Sequence, residues 1–186
     1  DRREYYRIED TIALEIRPLS APEAAGQEVL QDASPLFNLL SELHLSEFES
    51  QHLLRQISER DRAIAAFLKS QNKRIDLLSQ VVALTVLGHI GEPQPVIISE
   101  GGIDFQHPTP IAAGAHLSVK LVLMPQALGL LLRARVTHCD PKGNGFDVGT
   151  EFEHLTDAQR QLLARYILQK QAQERRLARE QNESGI

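Results

Sequence analysis

The chain has 186 residues, 42% of them hydrophobic and 24% charged, with a formal net charge of −5. That balance excludes disorder along the whole length and allows a substantial core, while the mild acidity argues against general nucleic-acid binding, which leaves a basic footprint. A single cysteine, Cys139, excludes both an intrachain disulfide framework and a cysteine-rich zinc site.

No apolar run reaches the roughly 18 residues of a membrane-spanning helix, and no charged-then-apolar leader is visible, so no membrane span and a cytoplasmic location are expected. The sequence starts at Asp1 rather than at a methionine, and residues ahead of it in the natural product are expected.

The first ten residues, DRREYYRIED, place Arg2, Arg3 and Arg7 ahead of an alternating segment with Ile12, Leu14 and Ile16 on one side. This is the pattern of a half-buried strand, and Pro18 stops it. Residues 19 to 31 turn to Ala, Pro, Glu and Gly and read as a connection. Ser34 before Pro35 supplies a cap and a first-turn proline for a short helix with Phe37, Leu40 and Leu43 on its stripe, ending near Leu45.

A capping box at Ser46 and Glu49 predicts a second, long helix that runs to Gly88. In it Ile57, Ile64, Gln71 and Leu78 occupy one heptad position and Leu54, Leu68, Ile75 and Val82 the other, with Asp61 the single charged break. Such a seam needs a partner. It either folds back on its own domain as a helical hairpin or joins copies of the chain, where Gln71 and Asp61 would set register.

After Pro93 and Pro95 the period changes to two. Residues 96 to 106 read as a hairpin around Gly101 and Gly102, 116 to 124 and 128 to 138 as two strands, 140 to 145 as a turn, and 146 to 155 as a further strand. The expected class is therefore α+β: a small antiparallel barrel carrying a long, heptad-bearing helical insertion. The segments are 1–18 (arm and first strand), 19–92 (helical insertion), 93–155 (rest of the barrel) and 156–186 (C-terminal helix and tail). A capping box at Thr156 and Gln159 opens the last helix, with Leu162, Leu163, Tyr166 and Ile167 apolar; beyond Leu168 the chain is expected to fray or project into solvent.

Arginine presents a planar fork of donors that matches a phosphate or the O6/N7 edge of guanine, so Arg3 and Arg7, four residues apart, suit an anionic guanine nucleotide. Charge clusters near a terminus are also ordinarily just solvated. Arg133 and Arg135 share one strand face and either line a groove with Ser99 or point to water. The seven histidines form no helical i, i+4 pair, so no metal site is expected. His138, Cys139 and Asp140 are adjacent on a strand and point to alternate faces, so they do not form a catalytic triad.

RREYYRIED, VIISEGGIDF and ARVTHCDPKGNGFDVGTEFEHLTDAQRQLLARYI together resemble the PilZ domain family, bacterial receptors for cyclic di-GMP, over residues 2–17 and 96 to about 170. That family carries an RxxxR arm and a [D/N]xSxxG turn. The arm here is Arg3 to Arg7, with Arg2 as an additional arginine; in the turn Ser99 and Gly102 match, and Ile97 stands where the acidic or amide residue belongs. The resemblance implies a cyclic di-GMP site built from Arg2, Arg3, Arg7, Ser99, Gly101 and Gly102, no cofactor, no catalytic residues, and an as yet unidentified protein effector. Loss of the polar group at position 97 costs about 1.5–3 kcal/mol, roughly ten- to hundredfold in affinity. The helical insertion looks like the atypical, tetrameric branch of the family, implying a homo-oligomer, with a tetramer as the number that branch suggests. Ligand determinants in that branch can be degraded, so the alternative is an oligomeric scaffold independent of nucleotide.

Overall fold

The computed structural model describes residues 5–184. Its strands are Ile8–Pro18 (β1), Gln94–Ile98 (β2), Ile103–His107 (β3), His116–Leu123 (β4), Leu128–Lys142 (β5) and Gly145–Glu153 (β6). They close into an antiparallel barrel in the order β1-β2-β3-β6-β5-β4. β1 makes the closure possible because it serves two neighbours in turn: Ile8 to Ile12 pair with Ile98 to Gln94, and Ala13 to Pro18 pair with Val122 to Leu117. Alternation sends Ile12, Ile98, Phe105, Val119 and Val148 into the barrel, where all are almost fully buried.

The helices are Ala21–Ala25 (α1), Pro35–Arg60 (α2), Arg62–Leu87 (α3) and Asp157–Ser184 (α4). Ser34 caps α2 by accepting from the Phe37 amide, as expected. The helical boundaries differ from the sequence reading at two places. The stop near Leu45 does not occur, because Ser46 sits in an uninterrupted helix with no backbone break to cap. The long helix from Ser46 to Gly88 is instead cut at Asp61, whose extended backbone ends α2 and whose carboxylate accepts from the Ala63 and Ile64 amides to start α3. A residue counted as a charged break in the heptads is thus the turn of a hairpin.

The two arms run antiparallel, since Phe37 and Leu40 near the start of α2 pack with Ala83 and Val86 near the end of α3, on the outer side of Ala13 and Val122. The heptad positions are divided between the single chain's own packing and its surface. Leu54, Ile57, Leu68, Gln71 and Val82 are half-buried at the hairpin's flanks, Ile64, Ile75 and Leu78 are exposed, and the ridge that faces α2 is Ala65, Ser79, Ala83 and Val86. α4 also continues past Leu168 as regular helix to Ser184, its last turns exposed. Gln, Glu, Arg and Ala are good helix formers, and Arg176 and Glu180 pair at i, i+4, 2.8 Å apart.

Largely buried polar and ionic contacts tie the insertion and α4 to the barrel. Lys120 of β4, 9% exposed, reaches Asp32 at 2.9 Å and lies over the Phe37 ring. Tyr166 of α4 donates to Asp10 of β1, and Lys170 pairs with the same carboxylate at 3.2 Å; burial and the Asp10 bond push the Tyr166 hydroxyl well above its ordinary pKa. Where α2 meets the β4–β5 turn, His44 is buried with Nε2 2.9 Å from the Ala127 carbonyl and Nδ1 3.7 Å from Glu47. His44 holds the Glu47 carboxyl below its usual range, whereas burial, with Glu47 adding to it, pushes Asp76 of α3 up.

A raised carboxyl pKa in the folded chain is a penalty on its charged form, present above the unfolded pKa and gone once pH falls below it. Asp76→Asn is therefore expected to raise the melting temperature at pH 7 by roughly 1–3 °C. The gain disappears near pH 3, where Asp76 is protonated in both states; calorimetric melts at the two pH values check this.

Candidate ligand-binding site

The β2–β3 connection forms a tight turn closed by Ser99. Its amide donates to the Gly102 carbonyl at 2.9 Å, and its buried hydroxyl accepts from the Gly101 amide at 3.2 Å. Gly102 is required by packing against backbone, and Gly101 leaves room for a side chain; neither has a left-handed backbone. A Cβ on Gly102 would lie 2.0 Å from the Thr150 carbonyl oxygen, and one on Gly101 would lie 2.8 Å from the Tyr5 ring. Phe152 donates to the Gly101 carbonyl at 2.9 Å and so stitches the turn to β6.

Because Ile8 pairs with Ile98, the residue before it is delivered to this turn: Arg7 stands at the rim of a cleft whose floor includes Ser99, Gly101 and Gly102. The cleft is small, about 130 Å³, and opens to solvent. Arg7 Nη1 lies 3.6 Å from Asp104 Oδ2 on β3. Tyr5 forms one wall.

A bulge in β5 shapes the opposite side. The register slips between Val136 and His138, leaving Thr137 as the extra residue, and its hydroxyl donates to the Gly149 carbonyl at 2.9 Å at the cleft edge. The His138 ring lies on Gly149, where a Cβ would sit 1.9 Å from Cε1.

The structure thus brings Arg7, Ser99, Gly101 and Gly102 together, while Arg2 and Arg3 lie outside the described residues. Arg133 does not line this cleft. It is 8% exposed and donates to the Glu23 carbonyl and, at 2.9 Å, to the Glu28 carbonyl, holding the connection after β1. Arg135 pairs with Glu151 at 2.9 Å and Glu153 at 3.2 Å, so it borders the cleft only through Glu151. Asp104, Thr137 and Tyr5 were not singled out from the sequence. Asp104 was accessible there, since a hairpin centred on Gly101 and Gly102 places it opposite Ile97. The bulge that exposes Thr137 has no local sequence signal.

Among the described residues no cluster of His, Cys, Asp and Glu is arranged to hold a metal ion, and no helix is long and apolar enough to cross a membrane. The site offers the guanidinium of Arg7, the carboxylates of Asp104 and Glu151, hydroxyls and a closely packed glycine turn.

The sequence profile of the PilZ domain matches residues 68–169, a span that starts inside α3 and includes the turn but not Arg7. Among solved structures, a pathogenic protein from Xanthomonas campestris, described as a new tetrameric PilZ domain self-assembled via an unusual helical bundle, is similar with a TM-score of 0.57 and 15% identity. The similarity covers 92% of this chain and 91% of that one. The Bacillus subtilis inhibitor of motility, MotI/DgrA, matches over 93% of this chain and 52% of its own, at 13% identity and a TM-score of 0.46. No curated protein matches the sequence significantly.

Proposed function

Since the chain belongs to the PilZ domain family, a family of cyclic di-GMP receptors, we propose that it binds this dinucleotide between Arg7 and the Ser99–Gly102 turn and acts by binding, not by catalysis. The observation that carries the reading is the placement of Arg7 beside the cleft by the β1–β2 register. A guanidinium there makes charge-assisted, bidentate bonds to a phosphate or a guanine edge. Arg2 and Arg3, adjacent in sequence, add two more forks from the arm. Contacts from these arginines to the ligand change the surface presented to a protein effector, an output through population shift.

The assembly reading stands on α3. Its hairpin face is buried against α2, yet Phe67, Leu77, Leu78, Val81 and Leu84 are more than half exposed on the rest of its circumference. A helix apolar nearly all round is normally covered. We take other copies of this chain to cover it, with four as the number, as in the Xanthomonas campestris protein.

Titration calorimetry with cyclic di-GMP tests the receptor reading. Heat is expected with the wild type, and Arg7→Ala lowers affinity about ten- to hundredfold. The scaffold alternative, favoured by the apolar Ile97 at a ligand position, requires no heat up to high micromolar ligand.

A further inference from the structure

Asp104 is a carboxylate on the wall of the cleft. It points to the outer face of the barrel beside Arg7, its side chain 21% exposed, and among the described residues its one partner is that guanidinium at 3.6 Å, beyond hydrogen-bond length. The strand neighbours directly opposite it are Ile97 on β2 and Gly149 on β6, neither of which carries a side-chain donor. A carboxylate that lines a cleft beside an arginine, open to water and with no protein donor within hydrogen-bond length, can accept from a ligand in place of water.

Position and chemistry narrow that ligand group. Residues directly opposite on antiparallel strands have Cβ atoms about 5 Å apart on the same face, so a carboxylate at 104 reaches the space that one at 97 would serve. We propose that Asp104 replaces the polar group missing at position 97 and is the specificity-determining residue of the cleft: its two oxygens accept from the N1–H and exocyclic amino group of a guanine, while it positions Arg7. Those two guanine donors are adjacent and match a carboxylate. Adenine presents an amino donor next to the bare N1 acceptor, so one carboxylate oxygen would face a lone pair. The inference rests on the cyclic di-GMP reading and adds how the base is chosen.

The test compares cyclic di-GMP with cyclic di-AMP by calorimetry on the wild type, Arg7→Ala, Asp104→Asn and the double variant Ile97→Asp/Asp104→Asn, with melting curves to show that each is folded. The wild type is expected to prefer cyclic di-GMP. Asp104→Asn lowers its affinity about tenfold or more and narrows the guanine-over-adenine ratio, and Ile97→Asp in the same chain restores both. Wild-type binding that depends on Arg7 but is unchanged in affinity and ratio by Asp104→Asn overturns this inference and leaves the receptor reading standing. No binding of cyclic di-GMP by the wild type overturns both. A variant Asp104→Asn that loses affinity equally for the two ligands, with no rescue by Ile97→Asp, reduces Asp104 to an anchor for Arg7 and refutes base selection.

Discussion

Gly102→Ala is expected to destabilise the barrel by about 3 kcal/mol and to lower the melting temperature by roughly 6–12 °C. The added methyl would meet the Thr150 carbonyl oxygen at 2.0 Å, with the Thr150 carbonyl carbon and Glu151 Cα close behind. None of these atoms belongs to a side chain that can swing aside. They are the backbone of β6, which pairs with both β3 and β5, so relief requires the turn to lift off the barrel. Gly101→Ala is the control: its methyl meets the Tyr5 ring, which can rotate away, so stability falls little while the cleft loses its wall. Thermal melts that show equal losses for the two variants would contradict this assignment of the glycines.

The second large effect concerns assembly. If copies of the chain cover α3 as proposed, Leu78→Asp combined with Val81→Asp is expected to give a monomer in light scattering while circular dichroism and melting of the barrel persist. In the single chain these side chains are 66% and 64% exposed, so a charge there does little harm to the hairpin's own packing. In an assembly each buried aliphatic contributes about 1.5–3 kcal/mol, and the pair about 3–6 kcal/mol per protomer. Substitution at Leu68 is less informative, because that residue is half-buried and a charge there also strains the single chain. A wild-type chain that is monomeric at high micromolar concentration would remove the assembly reading.

Such experiments separate two proposed properties that fall on different surfaces of the fold. The cleft is on the barrel wall formed by β2, β3, β6 and the bulge of β5; the exposed apolar face is on α3, which is fastened to the barrel from the β1–β4 side through Ala13, Val122 and Phe37. A receptor can therefore lose ligand without losing assembly, and the reverse.

The alternation of Ile12, Leu14 and Ile16, the Gly101–Gly102 turn and the strand pairs around Pro125 were legible because strand faces and tight turns follow from neighbours two to four residues apart. So was the N-cap at Ser34. Ser46 failed by the same rule: it and Glu49 have the spelling of a capping box, but a cap acts only where a helix begins, and here packing on the barrel carries α2 straight through. At the candidate site, Arg7 and the Ser99–Gly102 turn were visible as letters, and their meeting was decided by a register between β1 and β2 that spans the whole helical insertion.

By itself, then, the order of residues determined that this is a barrel with inserted helices, which strand residues face inward, and where the glycine turn between β2 and β3 falls. Only the tertiary structure decided that the long heptad run breaks at Asp61, that Arg133 serves the connection after β1, and that Asp104 and Thr137 share the cleft with Arg7. The physical reason is range: periods, caps and turns are settled within one or two turns of chain, whereas these placements depend on which of several apolar surfaces buries most when all elements pack at once.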